Sequence, residues 1–101
     1  MKTLSRNSIL ETLQANREKL SKEFGVLRIG LFGSFARDEG TAQSDIDFLV
    51  EFDVPLENYI ANRQALIDYL TALFEREVDI ANPKSLKPFY TKRILNQAVY
   101  A

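Results

Sequence analysis

Two aspartates separated by a single residue, Asp45 and Asp47, are the side chains whose type and spacing most directly indicate chemistry. They open the stretch DIDFLVEF, in which Ile46, Phe48, Val50 and Phe52 share one face and Asp45, Asp47, Leu49 and Glu51 the other, typical of a strand with one apolar face and one carboxylate-bearing face. Residues two apart on a strand project to the same side, with Cα atoms about 6.5–7 Å apart, so both carboxylates can converge on one point. A third aspartate, Asp79, lies in the short segment EVDI and joins them if that segment pairs beside the first strand.

Carboxylates held this close together indicate a metal site. Like charges repel strongly in a partly dry site, and a divalent cation removes that conflict. Mg²⁺ prefers oxygen ligands and needs only one or two carboxylates besides phosphate oxygens and water. We therefore expect Asp45, Asp47 and Asp79 to be catalytic and to bind magnesium, the third carboxylate either holding an acceptor-side ion or helping to deprotonate an acceptor hydroxyl. The alternative for Asp79 is a charge that keeps an edge strand soluble.

A Gly-Ser pair, Gly33-Ser34, is separated from Asp45 by ten residues and is suited to holding phosphate. Glycine lets the backbone approach a phosphate closely, and a turn that leads into a helix directs free amides at an anion. The hydroxyl of Ser34 adds a further donor. These residues predict a nucleotide-binding turn beside the carboxylates.

Two further polar residues between the turn and the aspartates are candidates for nucleotide binding, Arg37 and Ser44. Arg37, one turn after the Gly-Ser pair, has the reach to contact a triphosphate and neutralise developing charge. Its alternative is a surface ion pair with the neighbouring acidic residues 38 and 39. Ser44 either supports Asp45 by hydrogen bonding or caps the loop.

The combined pattern resembles a known family signature. Gly33-Ser34, ten residues and then Asp45-Ile46-Asp47 match the GS-x10-DxD motif of the polymerase-beta-type nucleotidyltransferase superfamily. The stretch GSFARDEGTAQSDIDFLVEF is similar to its minimal nucleotidyltransferase (MNT) branch, and EVDI looks like the third carboxylate motif. The resemblance covers residues 26–80 well. It implies the nucleotidyltransferase fold, phosphate binding by the Gly-Ser pair, magnesium at the first two aspartates, and completion of the site by Asp79.

The resemblance also implies a substrate and a partner. Many MNT proteins are antitoxins beside a HEPN-domain ribonuclease toxin, and in that pair the enzyme transfers AMP from ATP to a tyrosine of the toxin. We therefore expect ATP as substrate, Mg²⁺ as cofactor and a HEPN-family toxin as partner in a hetero-oligomer. Two alternatives stay open: an antitoxin that neutralises by binding alone, and a nucleotidyltransferase subunit that acts on a small molecule. One departure from the branch, the acidic pair Asp38-Glu39 where small residues are common, bears on the role of Arg37.

The composition removes several other classes of function. The chain has 101 residues and neither cysteine nor histidine, which excludes Ser-His-Asp and Cys-His catalysis and thiolate or imidazole zinc sites. Its net charge of −1 supplies no global basic field, so we expect no direct binding of duplex nucleic acid. No apolar run approaches the about 20 residues that span a bilayer, and the first residues lack the pattern of a signal peptide. We expect a single cytoplasmic domain over residues 1–101, with no role at a membrane.

The elements that must position the site alternate between helix and strand. We predict an α/β (α+β) domain, in which a small mixed sheet carries helices packed mainly on one face. A capping box at Ser8 and Glu11 opens the first helix, and Gly25 ends it. The predicted elements are a helix over Ser8–Phe24, a strand over Val26–Phe32, a loop over 35–44, a strand over Asp45–Phe52, a helix over 56–75, a strand over Glu77–Ile80 and a helix over 86–99.

A basic stretch lies in the predicted last helix and just before it. Lys84, Lys87, Lys92 and Arg93 have no acidic residue among them. The stretch is either a solvated helix face or a surface for a partner or a phosphate.

Overall fold

The computed structural model describes residues 4–83 and 97–101, and within these residues the sheet has four strands. The elements in chain order are α1 (Arg6–Ala15), α2 (Arg17–Phe24), β1 (Val26–Phe32), α3 (Gly33–Ala36), β2 (Ile46–Phe52), α4 (Leu56–Phe74), β3 (Val78–Ala81) and β4 (Val99–Tyr100). The strand order is β3-β2-β1-β4, with β1 antiparallel to β2 and β4, and β2 parallel to β3. The predicted α+β class with a small mixed sheet is confirmed.

The hydrophobic core lies on one face of this sheet. On β2 the fully buried residues Ile46, Phe48 and Val50 alternate with Asp47 and Glu51, which face the other way. The core side chains that the helices contribute include Ile9, Leu13, Leu20, Leu66, Leu70 and Phe74. The helices therefore cover the apolar face, and the opposite face of β2 keeps its carboxylates.

The start of the first helix differs from the prediction. The N-cap is Ser5 rather than Ser8, and the capping box is formed by two serines. The Ser5 hydroxyl accepts a hydrogen bond from the Ser8 amide at 3.1 Å, and the Ser8 hydroxyl accepts one from the Ser5 amide at 2.9 Å. Serine occupies the third helical position, where the usual capping box has Glu or Gln. The sequence pattern therefore matched Ser8 with Glu11, and the predicted helix start was three residues too late.

We expect the Ser5→Ala variant to lower the free energy of unfolding by about 1 kcal/mol, because the Ser8 amide loses its acceptor. Chemical denaturation monitored by circular dichroism measures this. Ser21→Ala, at an exposed position of α2, is the matched control and should change stability by less than about 0.5 kcal/mol. Equal stability of the two variants would contradict the capping role.

The single helix predicted over Ser8–Phe24 is two helices that meet at Asn16. Asn16 has non-helical dihedrals, φ −104° and ψ 10°. Its side-chain amide donates to the Thr12 carbonyl at 2.8 Å, and its side-chain oxygen accepts from the Tyr69 hydroxyl at 2.8 Å. Asparagine competes with the helix ladder in this way. Gly25 ends the second helix at a left-handed φ of 68°, as predicted.

The C-terminal end of the described chain is a strand where the sequence predicted a helix over 86–99. Residues 84–96, and with them the basic stretch, lie outside the described residues. Val99 and Tyr100 pair with Leu31 and Gly30 of β1, so the prediction is wrong at Val99. The free edge of β1 supplies the hydrogen-bonding partners that favour an extended chain there. In the residues that the structure describes, every helix is too short or too polar to cross a membrane.

Candidate active site

The three predicted aspartates lie on the face of the sheet opposite the core. In the parallel pair of β2 and β3, Asp47 lies directly opposite Asp79. Asp45 precedes Asp47 by two positions, immediately before β2 begins. Neighbouring strands are about 4.8 Å apart, so the pairing brings Asp47 and Asp79 side by side, as the sequence predicted for this strand pair. Asp47 is half-buried, whereas Asp45 and Asp79 are exposed.

The charges of these carboxylates act on one another. Burial raises the pKa of Asp47, and the charges of Asp79 and Asp45 raise it further, while the charge of Arg37 lowers it. In the described ranges, no three Asp, Glu, His or Cys side chains already form a cage for a metal ion. Mg²⁺ needs only one or two carboxylates besides substrate oxygens, so this set of carboxylate oxygens fits a magnesium site that a triphosphate completes.

The raised pKa of Asp47 predicts a more stable Asp47→Asn variant at neutral pH. The pKa in the folded protein lies above the ordinary value of 3.8, so the stability that protonated Asp47 contributes is fully present below that value and is lost as the pH rises through the folded pKa. Thermal melts in EDTA from pH 4 to 8 should therefore show a Tm advantage of the variant that grows with pH. Asp53→Asn, at an exposed aspartate after β2, is the control. A variant less stable than the wild type at pH 7 would contradict the repulsion.

The Gly-Ser turn lies directly against these carboxylates. Phe32, the last residue of β1, pairs with Asp47, and the next residue, Gly33, has a left-handed φ of 72°. A Cβ atom at Gly33 would collide with the Asp47 carboxylate, so only glycine allows this approach. Ser34 is half-buried in the helical turn α3, and within the described part of the chain its hydroxyl makes no hydrogen bond. The structure thus brings the predicted phosphate turn against Asp47, one of the three predicted metal ligands.

Arg37 lies at the rim of the site and has two hydrogen-bond partners. Its Nε donates to Glu39 at 3.0 Å, and an Nη donates to the Gln97 side chain at 3.1 Å. The surface pairing that the sequence offered as an alternative is therefore present. The same charge lowers the pKa of Asp47, which places the guanidinium close enough to act on the site. Its contact with a triphosphate stays a prediction.

Ser44 caps the loop that precedes Asp45. Its hydroxyl accepts a hydrogen bond from the Thr41 amide at 3.0 Å and lies 3.2 Å from the Thr41 hydroxyl. The Ser44 amide donates to the Thr41 carbonyl at 3.1 Å, which closes a tight turn. Of the two roles considered, these contacts are those of the loop cap. Binding of nucleotide by Ser44 stays a prediction.

Sequence reasoning missed two residues near the site, Gln97 and Arg76. Gln97 contacts Arg37 from the C-terminal segment, across 60 positions of sequence. Arg76 donates to the carbonyls of Thr41 and Ser44 from the turn between α4 and β3. Neither residue belongs to a periodic pattern that would have indicated a role. The one signal in the sequence is that Arg76 lies three residues before Asp79.

A glycine-serine turn that packs against Asp47, beside a parallel strand pair, is an arrangement in which phosphate and a divalent cation can lie side by side. Residues 13–101 match the family described as a nucleotidyltransferase domain, and the chain belongs to this family. The protein adenylyltransferase MntA of Thermococcus cleftensis is 38% identical over 102 residues, which cover 99% of each chain.

Solved structures agree with this assignment. One described as a minimal nucleotidyltransferase superposes with a TM-score of 0.74 at 31% identity, covering 98% of both chains. A toxin–antitoxin structure with AMP-PNP superposes with a TM-score of 0.64 at 25% identity, covering 96% of this chain and 72% of that chain. The recognition of the chain as a minimal nucleotidyltransferase, and as an enzyme, is confirmed.

Proposed function

We propose that this nucleotidyltransferase transfers AMP from ATP to a hydroxyl of a partner protein in a magnesium-dependent reaction, and acts as the partner's antitoxin. The partner of first choice is a HEPN-family ribonuclease toxin, and the acceptor is a tyrosine. The observation that carries the proposal is the contact of Gly33 with Asp47, which itself lies opposite Asp79. This contact brings the turn that we propose binds phosphate against Asp47, one of the carboxylates that we propose bind magnesium.

Different residues of the site would bind the metal ion and the phosphates. Asp45 and Asp47 would hold Mg²⁺, with Asp79 completing the site. When bound, Mg²⁺ neutralises charge on the triphosphate and on the transition state. The backbone at Gly33 leaves room for phosphate beside Asp47, and the Ser34 hydroxyl is available to donate to a phosphate oxygen.

The acceptor approaches from the β3 side of the site. Among the described strands β3 is at the edge of the sheet, and Asp79 on it is exposed. The acceptor hydroxyl attacks the α-phosphorus, the bond from the α-phosphorus to the bridging oxygen breaks, and pyrophosphate leaves. Asp79 is positioned to take up the hydroxyl proton. Catalysis comes from orientation and from charge neutralisation.

The openness of the site supports an acceptor of protein size. Asp45 and Asp79 are both exposed, so a side chain on the surface of another protein has access to them. The relative from Thermococcus cleftensis is named a protein adenylyltransferase, and the structure with AMP-PNP is a toxin–antitoxin complex. Both favour a protein toxin over a small molecule as the acceptor.

The test uses a HEPN-family toxin, the partner proposed above. The purified pair is incubated with ATP and Mg²⁺, and the toxin is then examined by peptide mass spectrometry and assayed for ribonuclease activity. We expect AMP on a tyrosine of the toxin and loss of its ribonuclease activity. The doubly substituted Asp45→Ala, Asp47→Ala variant should bind the toxin but leave it unmodified and active. Full neutralisation by that variant would instead establish an antitoxin that works by binding alone.

A further inference from the structure

We propose that Arg76 is a positioning residue that holds the loop before the aspartates, and through it the carboxylate of Asp45, in place for transfer. The proposal rests on the function proposed above, because it concerns the same site. One Nη nitrogen of Arg76 donates to the carbonyl of Thr41 at 3.0 Å and to that of Ser44 at 2.8 Å. Ser44 is bonded directly to Asp45, so these contacts fix the backbone one residue from a proposed metal ligand.

The same side chain also contacts the other half of the site. The guanidinium carbon of Arg76 lies 5.9 Å from the ring centroid of Phe35. Phe35 is 2% exposed and directly follows Ser34. Arg76 therefore lies between the segment that follows the Gly-Ser turn and the loop that precedes the aspartates, and it contacts both.

The backbone beside Arg76 anchors the start of β2. The amide of Ile46 donates to the carbonyl of Glu77 at 3.1 Å. Ile46 lies between Asp45 and Asp47 on the chain. Arg76 and Glu77 together thus hold both flanks of Asp45, the Arg76 side chain on one flank and the Glu77 carbonyl on the other.

Besides Arg76, the loop is held by its own hydrogen bonds between Thr41 and Ser44 rather than by burial. Residues 41–43 are exposed, so they bury few apolar contacts. Within the described ranges Arg76 forms no ion pair with a carboxylate, and its charge is directed at the two loop carbonyls. Hydrogen bonds from a charged donor are about twice as strong as neutral ones. Removal of Arg76 should therefore free the loop without opening the core.

The first measurement is hydrogen exchange of the protein alone, followed by mass spectrometry. We expect the Arg76→Gln variant to exchange faster across residues 37–46 and to leave α4 and β1 unchanged. Arg28→Gln is the matched control. Arg28 also lies over an aromatic ring, with its guanidinium carbon 4.0 Å from the Tyr100 centroid. It forms an ion pair with Glu51, its register partner on β2, and this pair lies four positions along the strands from the pair of Phe32 and Asp47.

The second measurement is the magnesium dependence of AMP transfer. Residues behind metal ligands typically change metal affinity or activity by about 10–100-fold, and we expect Arg76→Gln to lower kcat and raise the half-saturating Mg²⁺ concentration within that range. Arg76→Lys, which keeps one nitrogen able to donate to both carbonyls, should restore part of both. Arg28→Gln should match the wild type.

The outcomes separate this proposal from the proposed function. Unchanged exchange across residues 37–46 in a folded Arg76→Gln variant would overturn the positioning role. A fall in transfer at a constant half-saturating Mg²⁺ concentration would overturn it as well. If Arg76→Gln does not fold, the hydrogen exchange of Arg76→Lys across residues 37–46 decides. Exchange faster than in the wild type is the expected result, and exchange equal to the wild type would overturn the positioning role. If the wild type transfers no AMP, the proposed function fails, and the exchange measurement still decides on Arg76.

Discussion

Replacement of Asp45 and Asp47 together by alanine is expected to lower AMP transfer by at least about 10³-fold, because both proposed magnesium ligands at the start of β2 are lost. Stability should not fall. Asp45 is exposed, and the pKa of Asp47 is raised by burial and by the neighbouring carboxylates, so its charge destabilises the folded state. Transfer is measured as initial rates with saturating ATP and Mg²⁺, and folding by circular dichroism.

Glu51→Gln provides the control for this pair. Glu51 lies on the same face of β2 as Asp47, two alternations further along, and pairs with Arg28 at 3.8 Å. The substitution removes one carboxylate charge from that face but none from the site, and transfer should stay within about two-fold of the wild type. Transfer that survives in the folded alanine variant would mean that the reaction does not use these carboxylates.

The Gly33→Ala variant is expected to lose both activity and stability. Its φ of 72° disfavours any side chain, and the added methyl group would collide with the Asp47 carboxylate. A left-handed conformation costs about 1–2 kcal/mol for a residue with a Cβ atom. Relief of the collision must move Asp47 or the turn, and a displacement of about 1 Å lowers rates by about 10²-fold.

Gly25→Ala separates these two effects. Gly25 also has a left-handed φ, 68°, and a Cβ atom there would collide with Val54, remote from the aspartates. We expect a similar fall in the free energy of unfolding for both variants, measured by chemical denaturation. Only Gly33→Ala should lower the rate of AMP transfer by folded protein. Equal rates for the two folded variants would contradict the close approach of the turn to Asp47.

The sequence predicted the centre of the site well because its signals are short and periodic. The alternation over Asp45–Phe52 assigned the three carboxylates, together with Leu49, to one face and the other apolar residues to the opposite face, and the core packs against that second set. The sequence predicted that Asp79 would join the other aspartates if the segment EVDI paired beside this strand. The structure shows that pairing, with Asp79 opposite Asp47. The family resemblance then connected the Gly-Ser turn to them.

Apart from the local capping box of Ser5 and Ser8, the features that the sequence did not predict depend on contacts between distant parts of the chain. The division of the first helix rests on the hydrogen bond from Tyr69 to Asn16, 53 positions apart, which a helical periodicity does not reveal. Strand β4 has two residues, too few for an alternation, and forms because β1 offers an edge. Arg76 is a lone arginine whose partners lie 32 and 35 positions earlier.

The central claim is that AMP, and not another part of ATP, moves from nucleotide to partner protein at these carboxylates. The most direct measurement incubates the chain and its HEPN partner with Mg²⁺ and ATP labelled at either the α- or the γ-phosphate, and follows the label on the partner by gel. We predict label on the partner from α-labelled ATP, none from γ-labelled ATP, and none from either with the Asp45→Ala, Asp47→Ala variant. A partner that gains the γ-label, or that gains no label while binding the chain tightly, would contradict the account.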